Sequence, residues 1–337
     1  MKEHLDFYLQ LYYQMLRIRL VEEAIAVAYA LQKMRTPVHL SIGQEAAAVA
    51  SGMLLTISDY AVSTHRSHAH YLAKGGSLNA MFAELHGKVT GCSRGRGGSM
   101  HLIDQRVNFM GSTAIVGNTI PIGVGLGLAI KLEKTDRISC VFLGDGAIEE
   151  GVFYESLNFA VVKKLPILFI CENNFYSVYS SMQKRQPVNR KIYELARAIG
   201  AYSFCADGND VLAAYETIRS AVNMLRAGKG PCFVELMTYR WREHCGPNYD
   251  NELGYRSIDE YAQWVQKDPL VMHKRYIIEK FACDELEFSK MQHVIDNEIA
   301  QAFQFANTSH YPDAIEGLRG EYSEMIINTQ KSQLCDA

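Results

Sequence analysis

Apolar side chains recur at helical spacing near the start of the chain and in short continuous runs in its middle. Residues 3–34 carry apolar positions three or four apart and predict a long N-terminal helix, and the small-residue run 44–55 predicts a second. Two apolar runs, 138–143 and 167–171, enclose a helical pattern over 149–163. Since strands buried on both faces read as continuous apolar runs, this order predicts strand, helix and strand of a parallel sheet.

A third unit follows, with a helical pattern over 209–227 and an apolar strand over 232–237. From about residue 257 onward the pattern is helical and more polar. We therefore predict an α/β fold, a mostly parallel sheet with helices on both faces and helical extensions at both termini. The expected organisation is one α/β domain over 1–255 and a helical C-terminal extension over 256–337 packed on it.

Composition excludes several classes of protein. The 337 residues include 34 Lys and Arg against 37 Asp and Glu, a net charge of −3, which gives no basic footprint for nucleic acid or an acidic membrane. The longest apolar stretches, such as 46–55, fall short of the ~20 residues that span a bilayer. The first residues include acids where a secretory signal would be basic and then apolar. Eight cysteines without a C-x-x-C pair argue against a zinc or disulfide framework, so we expect a cytoplasmic protein.

Glycine is dense between residues 87 and 127, where the backbone must take unusual angles or approach another group closely. The pair Gly123 and Gly127 has the spacing that allows close helix packing, either in the core or across a subunit interface.

Polar residues follow the first two predicted strands of the middle region. Asp145 comes after one strand and Asn174 after the next, 29 residues later, which is the length of one βαβ unit. Both oxygen-bearing side chains therefore lie at the carboxyl edge of the sheet, where they can share a hard cation such as Mg²⁺ or Ca²⁺. Gly144 and Gly146 would let the backbone approach a diphosphate, and the helix starting near Ala147 would point its N–H groups at it.

Residues 144–147 through 172–176 resemble the thiamine-diphosphate motif, which begins GDG and ends NN. Five further segments recur in one family: HLSIGQEA at 39–46, HRSH at 65–68, GRGGSMH at 95–101, IVG at 115–117 and TYR at 238–240. Over roughly residues 10–260 the chain thus resembles the α subunit of the E1 component of 2-oxo acid dehydrogenases (pyruvate, branched-chain) and of acetoin dehydrogenases. The last ~80 residues carry no recognised motif.

The resemblance implies a role for individual residues. Mg²⁺ would be held by the side chains of Asp145 and Asn174 and by the carbonyl of Tyr176, and Arg66 would hold the diphosphate. The full set expected to bind the cofactor is His65, Arg66, Ala114, Val116, Gly144, Asp145, Gly146, Ala147, Asn174, Tyr176 and His244. The expected catalytic residues are His244, His39 and His68.

The chain departs from the family pattern in two places, at one residue and in one loop. The family usually has Tyr before the diphosphate arginine, where this chain has His65. Its loop often reads His-Gly-His-Ser, where this chain has Arg242, Glu243, His244 and Cys245. The replaced serine is a regulatory phosphorylation position in some relatives, so we expect no such control here. Both differences lie in the predicted pocket, so the identity of the acyl substrate stays open.

The resemblance implies an α subunit that acts with a β subunit in an α2β2 assembly. It would decarboxylate a pyruvate-like 2-oxo acid or cleave acetoin, and pass the acyl group to a lipoyl group on an E2 partner. The chain has no second α/β half of comparable size, so we expect it to be inactive alone. A thiamine-diphosphate-dependent synthase or ligase that passes the carbanion to another carbonyl is the main alternative. A weaker alternative is a catalytically silent binding or regulatory subunit. Another weaker alternative is a nicotinamide-dependent oxidoreductase, which is disfavoured because no G-x-G-x-x-G follows the first strand.

Overall fold

A computed structural model describes residues 2–315 of the chain. Its centre is a six-stranded parallel sheet with the strand order β2-β1-β3-β4-β8-β7. A separate antiparallel pair, β5 and β6, follows β4. The strands are β1 (Tyr60–Ser63), β2 (Phe109–Ser112), β3 (Ser139–Gly144), β4 (Ile167–Asn173), β5 (Tyr176–Ser177), β6 (Ser180–Ser181), β7 (Tyr202–Asp207) and β8 (Cys232–Met237).

Helices cover both faces of this sheet and extend beyond it. The helices are α1 (Lys2–Tyr29), α2 (Glu45–Gly52), α3 (His68–Ala73), α4 (Leu78–Leu85), α5 (Thr119–Glu133), α6 (Gly151–Lys163), α7 (Met182–Arg185), α8 (Ile192–Ile199), α9 (Val211–Arg226), α10 (Ile258–Val265), α11 (Pro269–Phe281) and α12 (Glu285–Thr308). Short 3-10 turns occur at Gln105–Val107, Asp145–Glu149 and Asn251–Leu253. In the described part of the chain, no helix has the length and apolar character needed to cross a bilayer.

The alternation of side chains along the central strands builds two cores. Phe142, Leu168 and Ile170 point to one face, where they join a large core with residues of α1, α2 and α9. Val141 and Phe169 point to the other face and join a smaller core with residues of α5, α6 and α8. Each fully buried side chain of this size contributes roughly 1.5–3 kcal/mol, so burial on both faces fixes the sheet in place.

The predicted α/β fold with a parallel sheet is confirmed, and the predicted strand over 232–237 has the bounds of β8. The first helix ends at Tyr29 rather than at residue 34. The sequence patterns did not predict the short strands β1 and β2, nor β7, whose exposed and buried positions are mixed. Helix α5 also went unpredicted, because it lies in the glycine-dense segment.

The C-terminal helices pack on the N-terminal part of the chain. Arg17 of α1 pairs with Glu298 of α12, with 2.6 Å between Nη2 and Oε1, and Phe303 of α12 contacts Phe82 of α4 edge to face. The domain boundary near residue 255 stays a prediction. Residues 316–337 of the predicted extension lie outside the described residues.

The two glycines of helix α5 that are four apart press against the sheet. A Cβ on Gly123 would lie 2.3 Å from Val141 Cγ2 and 2.9 Å from Val62 Cγ2, and one on Gly127 would lie 2.6 Å from Ile167 Cγ1. Of the two alternatives for this spacing, close packing in the core is therefore the one that the structure shows. The glycines let α5 approach the strands whose ends carry the polar residues discussed below.

We expect Gly123→Ala to lower the free energy of unfolding by about 1–3 kcal/mol, because the added methyl overpacks a filled core. Gly125→Ala is the matched control: nothing lies within 4 Å of a Cβ there, and replacing a helical glycine stabilises by about 0.5–1 kcal/mol. Urea unfolding followed by circular dichroism measures both. Equal effects of the two substitutions would contradict the close packing of Gly123.

Candidate active site

A cavity lies at the carboxyl edge of the sheet, above the ends of β1, β3 and β4. Ten of the predicted residues line it: His65, Arg66, Val116, Gly144, Asp145, Gly146, Ala147, Asn174, Tyr176 and His244. Ala114 does not line it, although its neighbours Thr113 and Ile115 do. His39 packs against two of the lining histidines, whereas His68 lies elsewhere.

Asp145 and Asn174 lie together at this edge, as their positions after β3 and β4 predict. Asp145 is only 2% exposed, and the backbone N–H of Asn174 is a hydrogen-bond donor to its carboxylate. Burial raises the pKa of Asp145, while ion pairing with Arg185 opposes that rise. A buried carboxylate beside an amide oxygen is the donor set that hard cations prefer.

The chain turns sharply after Asn174 and brings Tyr176 into the cavity wall. Phe175 has a φ of +68°, in the left-handed region, and this turn lets Asn174 Oδ1 accept a hydrogen bond from the Tyr176 N–H at 3.2 Å. The amide of Asn174 in turn donates to Gln44 Oε1 at 3.2 Å. Its orientation is therefore fixed from two sides, with the amide oxygen directed to the side of the Tyr176 backbone.

The backbone after β3 forms a short turn at the wall of the cavity. Asp145–Glu149 is a single 3-10 turn whose first N–H groups have no partner within the helix. A Cβ on Gly146 would lie 2.8 Å from Ser177 Oγ, whereas one on Gly144 would meet nothing within 4 Å. Gly146 is thus required by the close approach of Ser177, and Gly144 leaves open space beside the turn.

Arg66 is a buried cation without an acidic partner. It follows β1, is 5% exposed, and donates to two backbone carbonyls, that of Leu40 and that of His244 at 3.1 Å. Within residues 2–315 its guanidinium forms no ion pair. Burial lowers the pKa of Arg66 to about 10, so the side chain stays charged at neutral pH. Such a cation at the cavity wall favours an anionic ligand.

Three histidines meet at one end of the cavity. The ring centroids of His39 and His65 are 4.5 Å apart, those of His39 and His244 5.1 Å, and those of His65 and His244 5.2 Å. They come from separate loops, and those of His39 and His244 are joined where the Gly246 N–H donates to the Val38 carbonyl at 2.8 Å. The Nδ1 atom of His39 is buried without a hydrogen-bond partner in the described structure.

The electrostatics of this end keep the three imidazoles neutral. Burial, with a further contribution from Arg66, lowers the pKa of His65 to about 3 and that of His244 to about 2, and lowers the pKa of His39 as well. At neutral pH each ring therefore offers one N–H donor and one nitrogen acceptor.

His68 does not reach the cavity, contrary to its predicted place facing it. The side chain is fully buried, and both ring nitrogens have partners: Nδ1 lies 3.1 Å from Glu22 Oε1 and Nε2 lies 2.8 Å from Ser99 Oγ. The physical reason is that His68 begins helix α3 and points into the packing between α1 and the glycine-rich loop. The geometry fits a structural hydrogen-bond bridge better than a catalytic role.

Several residues of the cavity wall were not predicted from the sequence. Glu172 lines the cavity, and its Oε1 lies 3.1 Å from His70 Nε2. His70 in turn pairs with Ser63 Oγ at 2.8 Å through Nδ1 and stacks on Phe142. Alternation along β4 could have found Glu172, which lies two residues before Asn174. Other unpredicted lining residues are Gln44, Thr64, Thr113, Ile115, Gly117, Thr119 and Ser177.

Comparison with known proteins gives one matching family and many relatives. The family model described as "Dehydrogenase E1 component" matches residues 13–315. The pyruvate dehydrogenase E1 component subunit alpha-3, chloroplastic, of Arabidopsis thaliana is 37% identical over 322 residues, which cover 94% of this chain and 74% of that protein. The pyruvate dehydrogenase E1 component subunit alpha of Rickettsia felis is 34% identical over 306 residues, covering 91% and 93%. That of Porphyra purpurea is 36% identical over 315 residues, covering 91% and 90%.

We expect His68→Ala to destabilise the fold by about 3 kcal/mol, because it leaves the fully buried Glu22 without its partner. His65→Ala, which removes an imidazole that faces the cavity, should change the free energy of unfolding far less. Urea unfolding of the two variants tests the difference. A His68→Ala protein of native stability that had lost only turnover would restore the predicted catalytic role.

Proposed function

This chain belongs to the dehydrogenase E1 component family, as a thiamine-diphosphate-dependent alpha subunit of the 2-oxo acid dehydrogenase type, and from that membership we propose that it decarboxylates pyruvate together with a beta subunit. The family resemblance stated from the motifs is thereby confirmed. The observation that carries the proposal for this chain is the convergence on one cavity of Asp145, Asn174 and Arg66, whose guanidinium forms no ion pair within residues 2–315. The relatives named above are pyruvate dehydrogenase components, so the synthase alternative is not favoured.

The proposal includes Mg²⁺ as the metal that accompanies the cofactor. The donor set supports it: a carboxylate from Asp145, an amide oxygen from Asn174 and a backbone carbonyl from Tyr176 are oxygen ligands of the kind that Mg²⁺ takes, with diphosphate oxygens completing its shell. Arg66 and the free N–H groups of Gly146 and Ala147 would bind the diphosphate itself. When bound, thiamine diphosphate supplies the nucleophile and electron sink that cleavage of a 2-oxo acid requires.

The chain's own residues would orient the substrate and handle its protons. His39 and His244 are neutral and lie beside the cavity, so the N–H group of either ring can donate a hydrogen bond to the oxo oxygen of the substrate. The backbone carbonyl of His244 is tied to Arg66, which links the substrate end to the diphosphate end. The apolar side chains of Ile115 and Val116 would exclude water on the opposite wall.

The end of the cavity where His39, His65 and His244 meet supports a substrate with a small acyl group. His65 replaces the tyrosine usual in the family and adds a third imidazole, whose nitrogens need hydrogen-bonding partners. A branched alkyl chain placed there would leave these polar groups unpaired, at a cost of roughly 1–3 kcal/mol each. We therefore favour pyruvate over branched-chain 2-oxo acids and acetoin.

The proposed assembly is an α2β2 heterotetramer that delivers the acyl group to a lipoyl E2. Ile115 and Val116 expose 65% and 46% of their surface beside the cavity, which supports coverage of this wall by a partner chain. We propose a cytoplasmic location, in keeping with the seven cysteines among residues 2–315, which are unpaired.

The metal assignment predicts that Asp145→Ala abolishes Mg²⁺-dependent binding of thiamine diphosphate by the α–β complex, since it removes the charged ligand. The control is Glu150→Ala, which removes an exposed carboxylate close by on the chain and should leave the affinity within about twofold. Isothermal titration calorimetry at several Mg²⁺ concentrations measures both. Unchanged Mg²⁺ dependence in Asp145→Ala would refute the assignment.

The function itself is tested by co-expressing the chain with the beta subunit from the same organism. We expect no decarboxylation by the chain alone, and activity with pyruvate above that with branched-chain 2-oxo acids or acetoin in the complex. His244→Ala should lower kcat by about 10²–10⁴-fold while the Kd for thiamine diphosphate stays near the wild-type value. Substantial decarboxylation by the isolated chain, or equal loss of kcat and cofactor affinity in His244→Ala, would contradict the proposal.

A further inference from the structure

The carboxylate of Asp145 has a cationic partner within this chain, the guanidinium of Arg185. Arg185 ends the short helix α7, in the loop that follows the β5–β6 pair. One arm of its guanidinium donates to Asp145 and the other to Glu149, while Nε donates to the carbonyl of Ser180 at 3.1 Å. Its side chain is only 10% exposed. Arg185 thus reaches from a loop outside the sheet to the predicted metal ligand.

This contact follows from the burial of Asp145. A carboxylate removed from water needs a compensating positive charge, because desolvation disfavours the ionised form. Arg185 supplies that charge through a charge-assisted hydrogen bond. A divalent cation held by the same carboxylate would supply it as well. Two cations a few ångströms apart repel each other, so Arg185 on one oxygen of Asp145 weakens the binding of a divalent cation by the same carboxylate.

The neighbouring acid offers Arg185 a second place. Glu149 accepts from Arg185 and also from Gln186 Nε2, the latter at 2.9 Å, and its side chain is 32% exposed. Glu149 is therefore better hydrated than Asp145. Its negative charge depends less on a cationic partner, because water already stabilises it. Because the guanidinium already donates to Glu149, it can move away from Asp145 without losing that ion pair.

We propose that Arg185 sets the affinity of this subunit for its metal ion and cofactor, by neutralising Asp145 until Mg²⁺ takes its place. Binding is then an exchange of one cation for another, in which the Arg185 guanidinium moves away from Asp145 and keeps its contact with Glu149. This inference rests on the proposed Mg²⁺ site at Asp145. It adds a residue, outside the motif that begins GDG and ends NN, that opposes metal binding.

The test measures binding of Mg²⁺ and thiamine diphosphate by the α–β complex with calorimetry. Arg185→Gln and Arg185→Met, the second of which keeps an apolar stem, should both bind about tenfold more tightly than wild type, since a charged hydrogen bond no longer has to be broken. Arg185→Lys retains the charge and should bind like wild type. Arg190→Gln is the control, because it removes an exposed cation of the same loop, and should change nothing.

Thermal unfolding gives a readout that is independent of activity. The two variants without a cation should unfold at a lower temperature than wild type in the absence of Mg²⁺ and cofactor, and should gain more on their addition. Weaker binding in Arg185→Gln and Arg185→Met would make Arg185 a ligand of the diphosphate, and unchanged binding would remove it from the site; either result overturns the proposal. Persistence of Mg²⁺ dependence in Asp145→Ala would instead refute the underlying metal site.

Discussion

Strand β3 is paired with strand β4 in a register that sets Gly144 beside Glu172, so the two loops that follow begin at the same edge of the sheet. The polar groups of these two loops depend on this pairing. It brings Asp145 and Asn174 together although they are 29 residues apart, and it directs the N–H groups of the turn after β3 toward the same space. Because both strands are buried on both faces, a slip of register by one residue would turn each side chain toward the opposite core and disrupt its packing. The alignment is therefore fixed by the core rather than by the site.

The charge pattern of the site is set by burial in the same way. Arg66 and Asp145 are both buried. Among the described residues the guanidinium of Arg66 donates only to backbone carbonyls, whereas Asp145 pairs with Arg185 of helix α7. The three histidines nearby are neutral because burial and Arg66 disfavour their protonation. Burial thus leaves a charged guanidinium at the cavity wall and uncharged hydrogen-bonding groups at the end where the three histidines meet.

Most of this framework could be predicted from the sequence. Continuous apolar runs identify the central strands, and the polar residues directly after them identify the edge of the sheet that carries the site. The contacts between distant loops could not be predicted, because periodicity carries no information on them. His68 matches a family position by sequence, but only the fold shows that Glu22 and Ser99 occupy both of its ring nitrogens. Likewise Arg185 ends the short helix α7 in a polar segment without a periodic pattern, and its contact with Asp145 joins residues 40 apart in the chain.

We place the proposed metal ion between the ends of β3 and β4. The most direct measurement is anomalous diffraction from crystals of the α–β complex grown with Mn²⁺ in place of Mg²⁺ and with thiamine diphosphate. We expect one anomalous peak, which marks an Mn²⁺ ion bound by the side-chain oxygens of Asp145 and Asn174. The distance from the ion to each oxygen should be about 2.1 Å, as in Mg²⁺ sites. A peak among the imidazoles of His39, His65 and His244 instead, with none at Asp145, would contradict it.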